Sequence, residues 1–335
     1  EAALVRLQFV NGTHTIGCAM AAGLASGDTL LSATGGVYDT LETFVGLRDS
    51  APGSLKSYGI AYKEVPLQDG APDLDAIEKA SADPSVRCVF VQRSKGYSSR
   101  ISLSPAEIGD IVRRVKGVNP RAYVLVDNCY GEFVDTKEPC HFGADLVAGS
   151  LIKNPGGGIA PAGGYVAGRR DLVEAAAARL TVPGIGGECG ATLGQNRLLF
   201  QGFFLAPHVV GEALKTAVFG AALLEEMGYT VSPRADEPRR DIIQTVSFGA
   251  PEPLLRFCRG IQAGSPVDSY VTPEPWDMPG YESPVVMAAG AFIQGSSIEL
   301  SADAPMRAPY TAYMQGGLTF EAGRACLLRA IRDLL

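Results

Sequence analysis

Short, nearly continuous apolar runs alternate with helix-length segments through the first two-thirds of the chain. DTLLSAT (28–34), VRCVFVQR (86–93), RAYVLVDN (121–128), ADLVAGSLI (144–152) and GGYVAG (163–168) read as strands. Between them, TIGCAMAAGLA (15–25), LDAIEKASA (74–82) and SPAEIGDIVRRVKGV (104–118) read as helices. ALVRLQFV (3–10) fits either a helix or a strand, and GSLKSYGIAYKEVPL (53–67) carries a helix end and a strand. Strands that are apolar along their whole length are buried on both faces, which points to a parallel sheet covered by helices. The quartet Ser104-Pro105-Ala106-Glu107 marks one helix start as a capping box with proline at the first helical position.

The pattern changes near Asn196. From there to Met227 it predicts one long helix, with Pro207 as a point of interruption and Gly228 as the stop. Beyond it YTVSP, DIIQTVSFG, LLRFCRGIQ, PVVMAAGAF and SIELSA describe a smaller α+β unit, closed by an amphipathic helix in FEAGRACLLRAIRDLL. The expected organisation is an α/β large domain over 1–228 and a small C-terminal domain over 229–335. No internal repeat or low-complexity tract interrupts either one.

With 335 residues, 46% of them hydrophobic and 19% charged, the chain is long and apolar enough to bury such a core. A net charge of −7 argues against nucleic acid or an anionic membrane as partner. No run reaches the roughly 18 apolar residues of a membrane span, and no charged-then-apolar leader opens the sequence. Seven cysteines without a CxxC pair suit reduced thiols and a cytoplasmic protein. The three histidines, His14, His141 and His208, are not at ligand spacing, so no metal site is expected.

Ligands of open α/β sheets bind beyond the carboxyl ends of the strands. Three polar features stand there. Asn11-Gly12-Thr13 leads into a helix whose free N–H groups suit an anion such as phosphate. Asp127 closes a wholly apolar strand. Lys153 follows another, in SLIKNPGGG. A phosphate on Gly12 and Thr13, a carboxylate facing a pyridine nitrogen and a lysine for a Schiff base together describe a pyridoxal phosphate (PLP) site. A lysine placed beside apolar residues can lose its proton, as that bond requires.

The runs TGGVYDTLE, VQRSKGYSSR, VDNCYGEF, GADLVAGSLIKNPGGGIAPAGGYVAGRRDLVE, LTVPGIGGECGATL and FIQGSSIELSADAPMRAPYTAYMQGGLT resemble the methionine gamma-lyase-related family. Its members are also described as cystathionine beta-lyase-like or aluminium-resistance proteins. The resemblance covers almost the whole chain. It implies the fold type I PLP architecture, with a mostly parallel seven-stranded sheet, and a homodimer or homotetramer whose active sites lie at subunit interfaces. It implies Lys153 as Schiff-base lysine, Asp127 as pyridinium partner, and Ser150, Gly12 and Thr13 as phosphate ligands. Two departures stand out: Ile152 replaces a common second hydroxyl, and the N-terminal helices usual in such enzymes are not seen.

Around this core, Tyr38 either covers the ring, lines the substrate pocket or anchors its loop. Arg307 is the first choice for the substrate carboxylate, since an arginine fork binds carboxylates in bidentate fashion. Arg93 and Arg100 compete with it, and Arg93 is also placed to hydrogen-bond the cofactor. His14 stacks on the ring or caps its turn. Cys129 reads as a small buried filler, Glu188 and Trp276 are the weakest candidates, and the proline-rich, aromatic IQAGSPVDSYVTPEPWDMPGY reads as a loop bordering the site. The expected activity is carbon–sulfur lysis of a cystathionine-, methionine- or cysteine-like amino acid by β- or γ-elimination, yielding a keto acid, ammonia and a thiol. Transamination, racemisation or decarboxylation on the same cofactor, or a non-catalytic metal-tolerance role on the same fold, are the alternatives.

Overall fold

The computed structural model describes residues 1–48, 51–289 and 298–335. The chain divides into two compact units. The first comprises Glu1–Cys129, Asp135–Leu151 and Ala162–Leu193; the second comprises Tyr130–Val134, Ile152–Pro161 and Gly194–Leu335.

In the first unit the strands are β1 (Ala2–Arg6), β2 (Thr29–Ser32), β3 (Ala61–Glu64), the short pair β4 (Leu67–Gln68) and β5 (Ala71–Pro72), β6 (Val86–Gln92), β7 (Tyr123–Asp127), β8 (Leu146–Ser150) and β9 (Gly164–Gly168). Its helices are α1 (Gly12–Ala21), α2 (Asp39–Val45), α3 (Leu74–Ser81), α4 (Pro105–Val118) and α5 (Arg170–Leu180). Seven strands form one sheet in the order β1-β9-β8-β7-β6-β2-β3. Every pair in it is parallel except the two made by β9, which runs antiparallel to β8 and β1. The expected mostly parallel seven-stranded sheet is therefore present, and the ambiguous ALVRLQFV segment is a strand.

Strand periodicity of two sends alternate residues to opposite faces. Leu30, Phe90, Leu125 and Ala148 join a cluster with α1 and α5, whereas Leu31, Val89, Val91, Val124 and Val126 join Ile77 of α3 and Ile108, Ile111 and Val115 of α4. Each fully buried Leu, Ile or Val side chain contributes roughly 1.5–3 kcal/mol. The capping box of α4 forms as the sequence predicts. Ser104 Oγ accepts from the Glu107 N–H at 3.3 Å, and Glu107 Oε2 accepts from the Ser104 N–H at 2.8 Å.

In the second unit α6 (Asn196–Glu226), α7 (Pro251–Gly264) and α8 (Phe320–Arg332) accompany β10 (Thr230–Ser232), β11 (Gln244–Ser247), β12 (Val285–Ala289), β13 (Ser301–Pro305) and β14 (Thr311–Gln315). These strands make an antiparallel sheet in the order β10-β11-β14-β13-β12. The continuation of PVVMAAGAF through 290–292 lies outside the described residues. The helix α6 runs through Pro207 without a break and stops before Gly228, whose φ is +84°. It belongs to the second unit, which also takes in Tyr130–Val134 and Ile152–Pro161, so the two units are not divided at a single point of the chain. The reason is packing: Ala221 and Leu224 of α6 sit in one core with Val246, Phe257, Met314 and Leu327. Among the described residues no helix is long and apolar enough to cross a membrane.

The N-terminal half of α6 lies against the turn that follows Lys153. A Cβ on Gly202 would meet the Gly156 carbonyl oxygen at 2.2 Å, and one on Gly157 would meet the Gly202 oxygen at 2.4 Å. Both obstacles are backbone. Gly202→Ala should therefore destabilise the chain by about 1–3 kcal/mol, the scale of overpacking, although alanine is the better helix former. The midpoint of urea unfolding measures this.

Candidate active site

In the first unit the candidate groups stand at the carboxyl ends of adjacent strands. Asp127 ends β7 and is paired in register with Gln92 of β6. It is half-buried, and its Oδ1 accepts from the Cys129 N–H at 3.1 Å. Ser150 ends β8, and its Oγ is buried without a hydrogen-bond partner. Such an orphan costs roughly 1–3 kcal/mol in a folded protein. The site opposite it is the start of α1. A Cβ added to Gly12 would stand 3.2 Å from Ser150 Cβ and 3.8 Å from its Oγ, so glycine keeps this cradle open.

The Asn11 cap leaves part of that helix terminus unclaimed. Its side chain accepts from the His14 N–H at 2.8 Å and its carbonyl from the Thr15 N–H at 3.1 Å. The N–H groups of Gly12 and Thr13 have no intrahelical acceptor. Two free N–H donors at the positive end of a helix, next to an orphan hydroxyl, make an anion cradle. The Thr13 hydroxyl itself is within hydrogen-bond distance of Thr40 Oγ1 at 2.9 Å.

Tyr38 caps α2 and is edge-on to Tyr97, with ring centroids 5.8 Å apart. With Thr34, Gln92, Lys95 and Arg100 it lines a cavity of about 130 Å³. Gln92 was not singled out from the sequence. Its Nε2 donates to the Ser94 carbonyl at 3.1 Å, and its buried Oε1 has no partner.

In the second unit Lys153 is half-buried in the turn before Asn154, with Nζ 3.9 Å from the centroid of the Tyr130 ring. Tyr130 was also missed, because nothing in VDNCYGEF distinguishes a ring beside the lysine from a ring in the core. Arg307 is exposed in the turn between β13 and β14.

A family model described as methionine gamma-lyase matches residues 1–335, the whole chain. The chain belongs to the methionine gamma-lyase family. An uncharacterized Bacillus subtilis member, YnbB, is 52% identical over 337 residues, covering all of this chain and 80% of that protein. A Clostridium novyi NT protein, described as a carbon-sulfur lyase involved in aluminum resistance, is 52% identical. Its TM-score is 0.95 over all of this chain and 79% of that one. A Clostridium acetobutylicum protein, provisionally named a cystathionine beta-lyase involved in aluminum resistance, is 50% identical. Its TM-score is 0.96 at coverages of 100% and 79%. CalE6, a methionine gamma lyase from Micromonospora echinospora, shares the fold at 17% identity and a TM-score of 0.65, covering 99% of this chain and 81% of its own. The architecture is that of fold type I PLP-dependent enzymes.

For this methionine gamma-lyase family member the two buried arginines differ from expectation, and His14 takes the second of its two readings. Arg93 does not offer its guanidinium to a cofactor. It is wholly buried and donates to Asn128 Oδ1 (2.9 Å), Glu138 Oε2 (3.1 Å), Asp135 Oδ2 (3.0 Å) and the Leu103 carbonyl (3.3 Å). It braces the residue next to Asp127 instead. Arg100 is likewise buried, with its guanidinium turned onto backbone carbonyls of Gln92, Ser94 and Ile101 rather than held out for a substrate carboxylate. His14 faces back onto its own turn: Nδ1 accepts from the Val10 N–H at 3.2 Å and the ring meets Phe9 edge-on.

Cys129 is buried beside Gly12, as a filler would be. Burial pushes the Cys18 thiol on α1 up to about 11, so it is protonated at neutral pH. Glu188 and Trp276 are exposed. Among the described residues no three His, Cys, Asp or Glu side chains are grouped to hold a metal ion.

Ser150→Ala should leave stability unchanged or raise it by about 1 kcal/mol, because it removes an unsatisfied group. The same change should weaken phosphate-ester binding about tenfold, read by titration with pyridoxamine phosphate. Arg93→Met should cost about 1–3 kcal/mol, because Asn128 Oδ1 and the Leu103 carbonyl lose a buried donor while the part-exposed Asp135 and Glu138 keep access to water; chemical denaturation checks it.

Proposed function

We propose that this chain is a PLP-dependent carbon–sulfur lyase acting on a sulfur-containing amino acid. The observation that carries the reading is the buried, partnerless Ser150 hydroxyl facing the open N-terminus of α1 across Gly12. It fits the phosphate of that cofactor, and family membership together with the printed description of the Clostridium novyi relative supports the reaction class.

Ser150 and the Gly12 and Thr13 N–H groups would hold the phosphate. Asp127, at a strand end, would hold a proton on the ring nitrogen through its negative charge. Lys153 would anchor the cofactor covalently; three residues of chain keep it within about 11 Å of Ser150. When bound, the cofactor supplies an electron sink for the pair left behind when the substrate loses its α-proton. Lys153, as a free amine, would take that proton and would return one to a neighbouring carbon. Departure of a thiolate from the β carbon, or from the γ carbon after a further proton transfer, would complete the cleavage, and hydrolysis would release keto acid and ammonia.

Tyr38 would cover the ring or border the substrate, and Arg307 would take the substrate carboxylate. We also propose a homodimer or homotetramer with active sites at subunit interfaces and a cytoplasmic location. Phe200, Phe203 and Phe204 are 75%, 58% and 82% exposed on α6, an apolar stripe of the kind that association covers.

Lys153→Ala should abolish both the visible absorbance of protein-bound cofactor and the release of thiol and keto acid from cystathionine, cysteine or methionine. Turnover retained by that variant would overturn the proposal. Asp127→Asn should bind the cofactor but lose at least about 10²-fold in turnover, the scale of removing one preorganised electrostatic group.

A further inference from the structure

We infer that Tyr130 is the positioning residue of Lys153, a seat for its amino group whenever that group is not joined to cofactor. The inference rests on the lyase reading for its purpose and on the second unit's own geometry for its content. Lys153 Nζ lies 3.9 Å from the centroid of the Tyr130 ring. A cation at that distance over a ring face is held by the ring quadrupole.

The backbone goes out of its way to put the ring there. Tyr130 has φ +71° and Phe133 has φ +63°, two non-glycine residues in the left-handed region within four positions. Residues keep such conformations only where their surroundings over-determine them, and they gather at functional sites. Here the surroundings are specific. The Tyr130 carbonyl accepts from the Ile242 N–H at 3.2 Å, and the Glu132 carbonyl accepts from Asn154 Nδ2 at 2.9 Å. Phe133 meets Phe203 edge-on with centroids 5.6 Å apart.

Asn154 is the residue after the lysine and is completely buried. The lysine's own turn therefore clamps the segment that carries the ring, and the ring in turn fixes the amino group. Such a seat serves the ammonium form, the form Lys153 would carry after taking the substrate proton and before returning it, because a flexible four-carbon stem otherwise samples many positions.

The test needs no cofactor. The chain alone is pulsed with acetic anhydride, and Lys153 acetylation is read by peptide mass spectrometry against Lys63, which is half exposed on β3. A ring that holds the ammonium protects it, so Tyr130→Leu and Tyr130→Asn should raise Lys153 labelling about 2- to 30-fold, the range of one cation–π contact. Asparagine is included because it tolerates the left-handed backbone that leucine resists. Tyr130→Phe keeps the ring face and should label like the parent. Wild-type labelling in both ringless variants would overturn the inference, and so would a Phe variant that labels like them. PLP added to the parent chain tests the other reading separately. A labelling contrast without cofactor uptake would uphold the seat and defeat the lyase assignment; uptake without the contrast would do the reverse.

Discussion

A serine hydroxyl that can neither give nor receive a hydrogen bond within the protein sets the terms for the first unit. Ser150 stands at the end of a strand buried along its whole length, and its Oγ finds no partner within the protein. Folding accepts that deficit because the parallel sheet, with helices on both faces, brings the strand end there. The missing side chain at Gly12 then preserves the space in front of it. A methyl group at Gly12 would press on Ser150 Cβ and narrow the approach to the helix N-terminus. A stability optimum would fill that gap or remove the hydroxyl. The chain does neither, which sets this strand end apart from ordinary core.

Much of this was legible in the sequence because it depends on local rules. Apolar runs mark buried strands, and the polar residue that ends a run marks a strand end; Asp127 ends β7 in that way, whereas Lys153 stands past the end of β8, in the turn before Asn154. Elements without a strong period were passed over. The strand β14, at the centre of the C-terminal sheet, and the short helix α2 are examples. The arginines failed for another reason. A sequence shows that Arg93 is charged but not that the charge is spent on Asp135 and Glu138, 42 and 45 residues away. Similarly, Arg100 is absorbed by carbonyls that a helix or strand would have used, and nothing local announces it.

The same limit applies to the unit boundary. The change of pattern after Met227 is real, since α6 ends there. A helix nevertheless belongs to whatever its apolar face packs against, and that partner lies later in the chain. The residues 130–134 show this in miniature. They follow Asp127 directly, yet their rings and carbonyls are held by Ile242, Asn154 and α6. Strained backbone there would read in sequence as an unremarkable loop.

The bare contact between the turn after Lys153 and α6 has a mechanical consequence. Side chains between two packed elements act as compliant spacers: they change rotamer and absorb a shift. Between Gly156 or Gly157 and Gly202 there is none, only backbone on backbone. The helix and the turn can therefore not move closer at that point without a backbone clash. Phe200, Phe203 and Phe204 lie within two residues of Gly202 along the chain and are exposed. The exposed rings therefore flank the stretch of α6 where helix and lysine turn meet without side chains between them.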